Sequence, residues 1–77
     1  MTIVRLHRIE LGAERNTYSF VILDPGGVPT FTIPVEIPVG EERDQNALCA
    51  AAALKLALFF RNVSSAADDL SHSLRAR

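Results

Sequence analysis

The sequence predicts a small α+β domain: a three-stranded antiparallel meander, a long helix packed on one face of the sheet, and a short C-terminal helix. Residues 2–39 show the apolar and polar alternation of strands, interrupted by turn residues. Residues 41–62 carry apolar side chains at helical spacing. The chain has 77 residues, of which 48% are apolar. This length and composition suit a single domain, residues 1–77, with one core.

The first predicted strand covers residues 2–11 and changes phase midway. Val4 and Leu6 fall on one parity, whereas Ile9 and Leu11 fall on the other. Because successive side chains of a strand point to opposite faces, we expect a bulge or a strong twist between them. The polar segment 12–16 then predicts a connecting loop.

The second predicted strand covers residues 17–24 and leads into a hairpin. Tyr18, Phe20 and Ile22 share one parity and are expected to face the core. Asp24-Pro25-Gly26-Gly27 follows. Proline fixes φ at the second position of a turn, and glycine at the third position tolerates the positive φ of a type II turn. The segment therefore predicts a type II hairpin turn.

The third predicted strand, residues 31–39, alternates without interruption. Its prolines Pro34 and Pro38 share one parity, so both missing N–H donors lie on the same side of the strand. That side cannot accept a full partner strand. The pattern predicts an edge strand.

Two helices are predicted to follow. Glu41 and Glu42 would lie in the first turn of a helix over 41–62, where negative charge opposes the helix dipole. Ser65 would cap a second helix over 66–75, with Asp68 three positions later as in a shortened capping box. A single kinked helix is the alternative.

The long helix carries more apolar surface than one sheet face needs. One broad side, including Leu56, Phe59 and Phe60, is expected to lie on the sheet. A second apolar side lies roughly opposite and is expected to form an interface; it consists of Ala47, Ala51, Leu54 and Leu58. A two-fold related copy would cover it in a homodimer. Two alternatives remain. The C-terminal helix could fold back and cover this side with Leu70 and Leu74, or a heterologous protein could cover it.

No catalytic constellation is evident. Cys49 is the single thiol and sits among alanines, which favours a small buried side chain over a nucleophile. His7 and His72 stand alone, without metal-ligand spacing. We therefore expect a non-enzymatic protein with no cofactor and no metal.

Charge and hydropathy restrict the expected partners. The formal net charge is −1, which is atypical of proteins that bind nucleic-acid backbones and argues against nucleic acid as a partner. The longest apolar run, 47–60, falls short of the roughly 20 residues of a membrane span, and Lys55 interrupts it. Arg5, His7 and Arg8 leave no signal-peptide core near the N-terminus. These features predict a cytoplasmic protein without a membrane span.

A weak basic patch is the basis of an alternative function. It would comprise Arg5, His7, Arg75 and Arg77 if the C-terminal arginines lie near the first strand. The order of three strands and a helix resembles the small antitoxins of the HicB type, and the layout is similar to double-stranded-RNA-binding domains. This resemblance in layout implies regulatory nucleic-acid binding. Our main hypothesis is a small protein-interaction module that forms a homodimer through the 41–62 helix.

Overall fold

A computed structural model describes residues 2–76 and contains one antiparallel sheet and one helix. The strands are β1 (Ile3–Glu10), β2 (Arg15–Leu23) and β3 (Pro29–Pro38), in the order β1-β2-β3. The helix α1 (Gln45–Arg75) follows them. The predicted meander followed by a long helix is confirmed.

The pairing of β1 with β2 shifts between Leu6 and Arg8, which confirms the predicted irregularity. Leu6 is paired with Phe20, and Ile9 with Tyr18. Paired residues point to the same face of a sheet, so the extra residue restores Ile9 to the face that carries Leu6. The bulge therefore keeps the apolar side chains of β1 on the core side of the sheet.

The hairpin between β2 and β3 is present, but its turn type differs from the prediction. The N–H of Gly27 donates to the carbonyl of Asp24 at 2.9 Å, and Gly27, not Gly26, has positive φ, at 81°. The chain thus makes a type I-like turn followed by a left-handed residue, a combination that matches the twist of paired strands. The Asp24 carboxylate holds this loop by accepting the N–H groups of Gly26 and Val28, each at 2.9 Å.

As predicted, β3 is an edge strand, because it pairs with β2 alone among the described strands. Its bounds are shifted from the expected ones, since it begins at Pro29 and ends at Pro38. Val35 is paired with Tyr18, and Ile33 with Phe20. The register therefore aligns the apolar side chains of the two strands on one face.

The core lies between that face and the first turns of α1. It consists of Tyr18, Phe20, Val35, Ala52 and Leu56. The hydroxyl of Tyr18 donates to Oε1 of Gln45 at 3.2 Å, which joins the middle of the sheet to the start of the helix. A buried phenol needs such a partner, because an unpaired polar group away from water is costly.

The helix begins later than predicted. Asp44 is its N-cap and accepts the N–H of Asn46 at 3.0 Å, whereas the expected first-turn acids Glu41 and Glu42 precede the helix. Glu42 instead accepts the N–H groups of Arg43 and Asp44 at 3.0 and 2.9 Å, which orders the approach to the cap. An aspartate can satisfy first-turn donors directly, and this local geometry outweighs the dipole argument for Glu41 and Glu42.

The predicted second helix is not separate, because α1 continues through Ser64 and Ser65 to Arg75. Serine inside a helix costs only a few tenths of a kcal/mol relative to good helix formers, and no glycine or proline interrupts this segment. Continuity also places Leu70 and Leu74 on the side of the helix that carries Leu56. They cannot fold back over the opposite side.

Candidate interaction surface

The two halves of α1 have different surroundings. In the proximal half, residues 45–58, Ala52 and Leu56 are buried against the sheet. In the distal half, residues 59–75, every side chain is exposed. A helix of 31 residues is about 46 Å long, close to the 50 Å longest dimension of the molecule. The distal half therefore projects beyond the sheet.

The apolar face of α1 does not end where the sheet ends. At 100° per residue, the side that carries Leu56 continues into a row of exposed large side chains, which we call the distal stripe. The distal stripe comprises Phe59, Phe60, Val63, Leu70 and Leu74. Leu70 is 59% exposed, against 4% for Leu56 on the same face. The stripe has the composition of a core, but its side chains are 36–59% exposed.

The sequence-predicted interface lies on the opposite side of the proximal half. This outer patch comprises Ala47, Ala51, Leu54 and Leu58, and the structure brings these residues to one face directed away from the sheet. Leu54 is 60% exposed, while Ala47 is half-buried. Further along, the same side of the helix becomes polar with Ser65, Asp69 and His72. The outer patch is thus confined to the proximal half.

A third apolar surface, which sequence reasoning missed, lies on the sheet. Val4, Leu6 and Ile9 form what we call the β1 strip, on the same face as the core but between 39% and 49% exposed. The helix lies over β3, where Lys55 Nζ donates to the carbonyl of Glu36 at 2.8 Å. The phase change in β1 was the signal for this surface, because it keeps all three side chains on one face.

A cavity of about 380 Å³ opens between α1 and the β3 edge. Lys55, Leu56 and Phe59 line it from the helix, and residues 33–36 line it from the strand. Glu36 already pairs with Arg15 at 2.9 Å, and the Lys55 ammonium is bonded to the backbone of β3. The cavity is mainly apolar and has no converging pair of groups suited to acid–base chemistry.

The structure does not bring the predicted basic residues to one surface. Arg5 is paired with Val21 and so points away from the helix-covered face, whereas Arg75 lies at the far end of α1. His7 is the residue inserted at the bulge, so Arg8 rather than His7 takes the place beside Arg5. Arg77 lies outside the described residues. On the same sheet, Arg8 pairs with Glu10 at 3.1 Å.

The remaining candidate groups for chemistry are dispersed. Cys49 is a free, half-buried thiol packed against the core. Within residues 2–76, no three side chains of histidine, cysteine, aspartate or glutamate lie together as a potential metal site. Every buried polar side-chain atom described has a hydrogen-bond partner.

The helix α1 is longer than the apolar run on which the expectation of no membrane span was based. An 18-residue window of this helix has a mean hydropathy of 1.4, and only 11% of that window is buried in the protein, so its length and composition would permit a membrane span. The apolar run 47–60, with 14 residues, is by itself too short for a span. Because α1 continues beyond this run to Arg75, the length of the helix does not exclude a span.

Comparison of the chain with protein-family models, with characterised proteins and with solved structures finds no match.

Proposed function

We propose that this protein is a small non-enzymatic interaction module that forms a homodimer through α1. The observation that carries the proposal is the distal stripe, a core-like row of large side chains that are 36–59% exposed in the single chain. Soluble proteins rarely leave such rows in contact with water, because burying apolar area is the main favourable term in association.

The distal stripe is the stronger of the two exposed surfaces of the helix. It presents two phenylalanines, two leucines and a valine, whereas the outer patch presents two leucines and two alanines. Because its five side chains are each about half exposed, the distal stripe presents roughly 500 Å² of accessible apolar surface per copy. A surface that two copies contribute equally also closes a two-fold dimer without exposing a new patch.

A lipid surface is the competing partner for an apolar helix of this length. The proximal half argues against insertion, because Lys55 and the buried Leu56 fix it beside β3. Insertion would carry strand edges with unpaired backbone groups toward the hydrocarbon region, where each unsatisfied group costs several kcal/mol. We therefore favour a second protein chain over a membrane.

Sedimentation equilibrium of the full chain tests the proposal. The monomer mass is 8.4 kDa, and we expect twice that value at tens of micromolar protein, with little dependence on salt because the interface is apolar. Val63→Glu combined with Leu70→Glu should weaken the dimer at least about 30-fold, since it buries two unpaired charges from each copy. The matched control is Leu54→Glu with Leu58→Glu on the outer patch.

The variants separate the possible outcomes. If the outer-patch pair dissociates the dimer and the distal pair does not, the interface is the one that the sequence indicated, and the distal stripe is not involved. A monomer at hundreds of micromolar overturns the proposal. Flotation of the protein with neutral phosphatidylcholine vesicles, abolished by the distal pair, would assign the stripe to lipid.

A further inference from the structure

The vacant part of the sheet has room for one more helix. Strands lie about 4.8 Å apart and packed helices about 8–10 Å apart, so a helix covers roughly two strands. In this protein α1 covers β3 and the core residues of β2, which leaves the β1 strip uncovered. The uncovered width above Val4, Leu6 and Ile9 corresponds to a single additional helix.

The side of α1 that borders this space suits close helix packing. Lys55 marks the side of the helix that faces the β3 edge, through its bond to Glu36. At 100° per residue, Ala53, Ala57 and Phe60 lie on the other side, toward β1. Small alanines allow two helix backbones to approach closely, and Phe60 continues the apolar wall.

The chain cannot fill this space with its own helix. Because α1 is continuous to Arg75, its distal half leaves the sheet instead of turning back over β1. The segment with a matching apolar row is therefore the distal half of another copy.

We propose that, in the homodimer, the distal half of each α1 lies on the β1 strip of the other copy, beside that copy's proximal half. This inference rests on the proposed function and specifies its geometry. Each sheet would then carry two helices, one from its own chain and one from its partner.

The buried area favours this arrangement over simple pairing of the two stripes. Stripe against stripe would bury about 1,000 Å² in total, the lower limit for a specific interface. Adding the β1 strip and its alanine wall, at roughly 300 Å² per copy, raises the total to about 1,600 Å², the size of a standard stable interface. Reciprocal docking covers both the distal stripe and the β1 strip.

Disulfide trapping in the full chain tests the arrangement. In a Cys49→Ala background, Leu6→Cys is combined in turn with Val63→Cys, Leu70→Cys or Leu74→Cys. A disulfide requires Cα atoms within about 7 Å, so the position facing Leu6 should form a covalent dimer in high yield under mild oxidation. The controls are each cysteine alone, since a stripe cysteine that cross-links by itself reports stripe-against-stripe pairing, and Leu6→Cys combined with Ser65→Cys or His72→Cys on the polar side of the distal half.

A second measurement separates this inference from the dimer itself. Leu6→Ser should weaken dimerisation about tenfold with little effect on the fold, because Leu6 is 42% exposed in the single chain. The control is Val28→Ser in the hairpin, which should leave the dimer unchanged. A dimer that resists Leu6→Ser, yields no stripe-specific disulfide and dissociates with Val63→Glu and Leu70→Glu would refute the swapped geometry and retain the dimer. A monomer would refute both.

Discussion

The proximal and distal halves of α1 have similar apolar faces but different surroundings. Leu56, in the proximal half, is buried against the sheet, while Leu70, on the same side of the distal half, is exposed. The apolar side of the helix thus continues past the end of the sheet. The difference shows that the apolar side of α1 is longer than the sheet that covers it.

The largest expected effect tests the proximal half. Leu56→Ala should lower the free energy of unfolding by about 3 kcal/mol, because it removes a buried side chain and leaves a cavity in the core. Urea denaturation followed by circular dichroism measures the change. Leu54→Ala, on the exposed side of the same helix, is the control and should cost less than about 1 kcal/mol. Equal losses would contradict the placement of α1 on the sheet.

A break at the junction tests whether the distal half must be helical. Ser65→Pro removes a helical hydrogen bond at a local cost of about 3 kcal/mol. Because residues 57–76 contain no buried side chain, the sheet and proximal half should stay folded while helicity falls and the dimer dissociates. Circular dichroism and sedimentation report the two effects, with Ser65→Ala as the control. Retention of the dimer would show that the distal half does not form the interface.

A smaller loss of stability is expected from a change at the N-cap, where the proximal half begins. Asp44→Ala removes the acceptor of the Asn46 N–H and should cost about 1 kcal/mol of global stability. The proximal half carries the core, so this loss should appear in thermal unfolding. Asp44→Asn retains the acceptor and serves as the control; a loss as large as that of alanine would argue against capping.

Hydrogen exchange gives the finest test of the comparison. Distal amides have no tertiary cover in the single chain, so they should exchange faster than proximal amides at low protein concentration. Dimerisation should slow the distal amides as concentration rises, while proximal amides change less. Distal protection that is independent of concentration would point to a stabilising contact within one chain.

The sequence by itself determined those features of the fold that depend only on residues close together in the chain. Alternation and the prolines of β3 predicted the strands and the edge, and the phase change in β1 predicted the bulge, because each is a local consequence of strand geometry. Prediction from neighbouring residues failed where the same residues are compatible with two local conformations. Ser65 can cap a helix or continue one, and Gly26 or Gly27 can adopt the positive φ, so the short second helix and the turn type were wrong.

Tertiary structure decided which apolar surfaces remain free. Helical spacing identified the outer patch of Ala47, Ala51, Leu54 and Leu58, yet it could not show that the core-facing side continues past the sheet beyond Phe59. That depends on where the three strands end and on the attachment of Lys55 to β3. Composition fixes how much apolar area a chain has, but burial depends on the distances and angles between elements far apart in the sequence, and these became visible only when the sheet and helix were packed together.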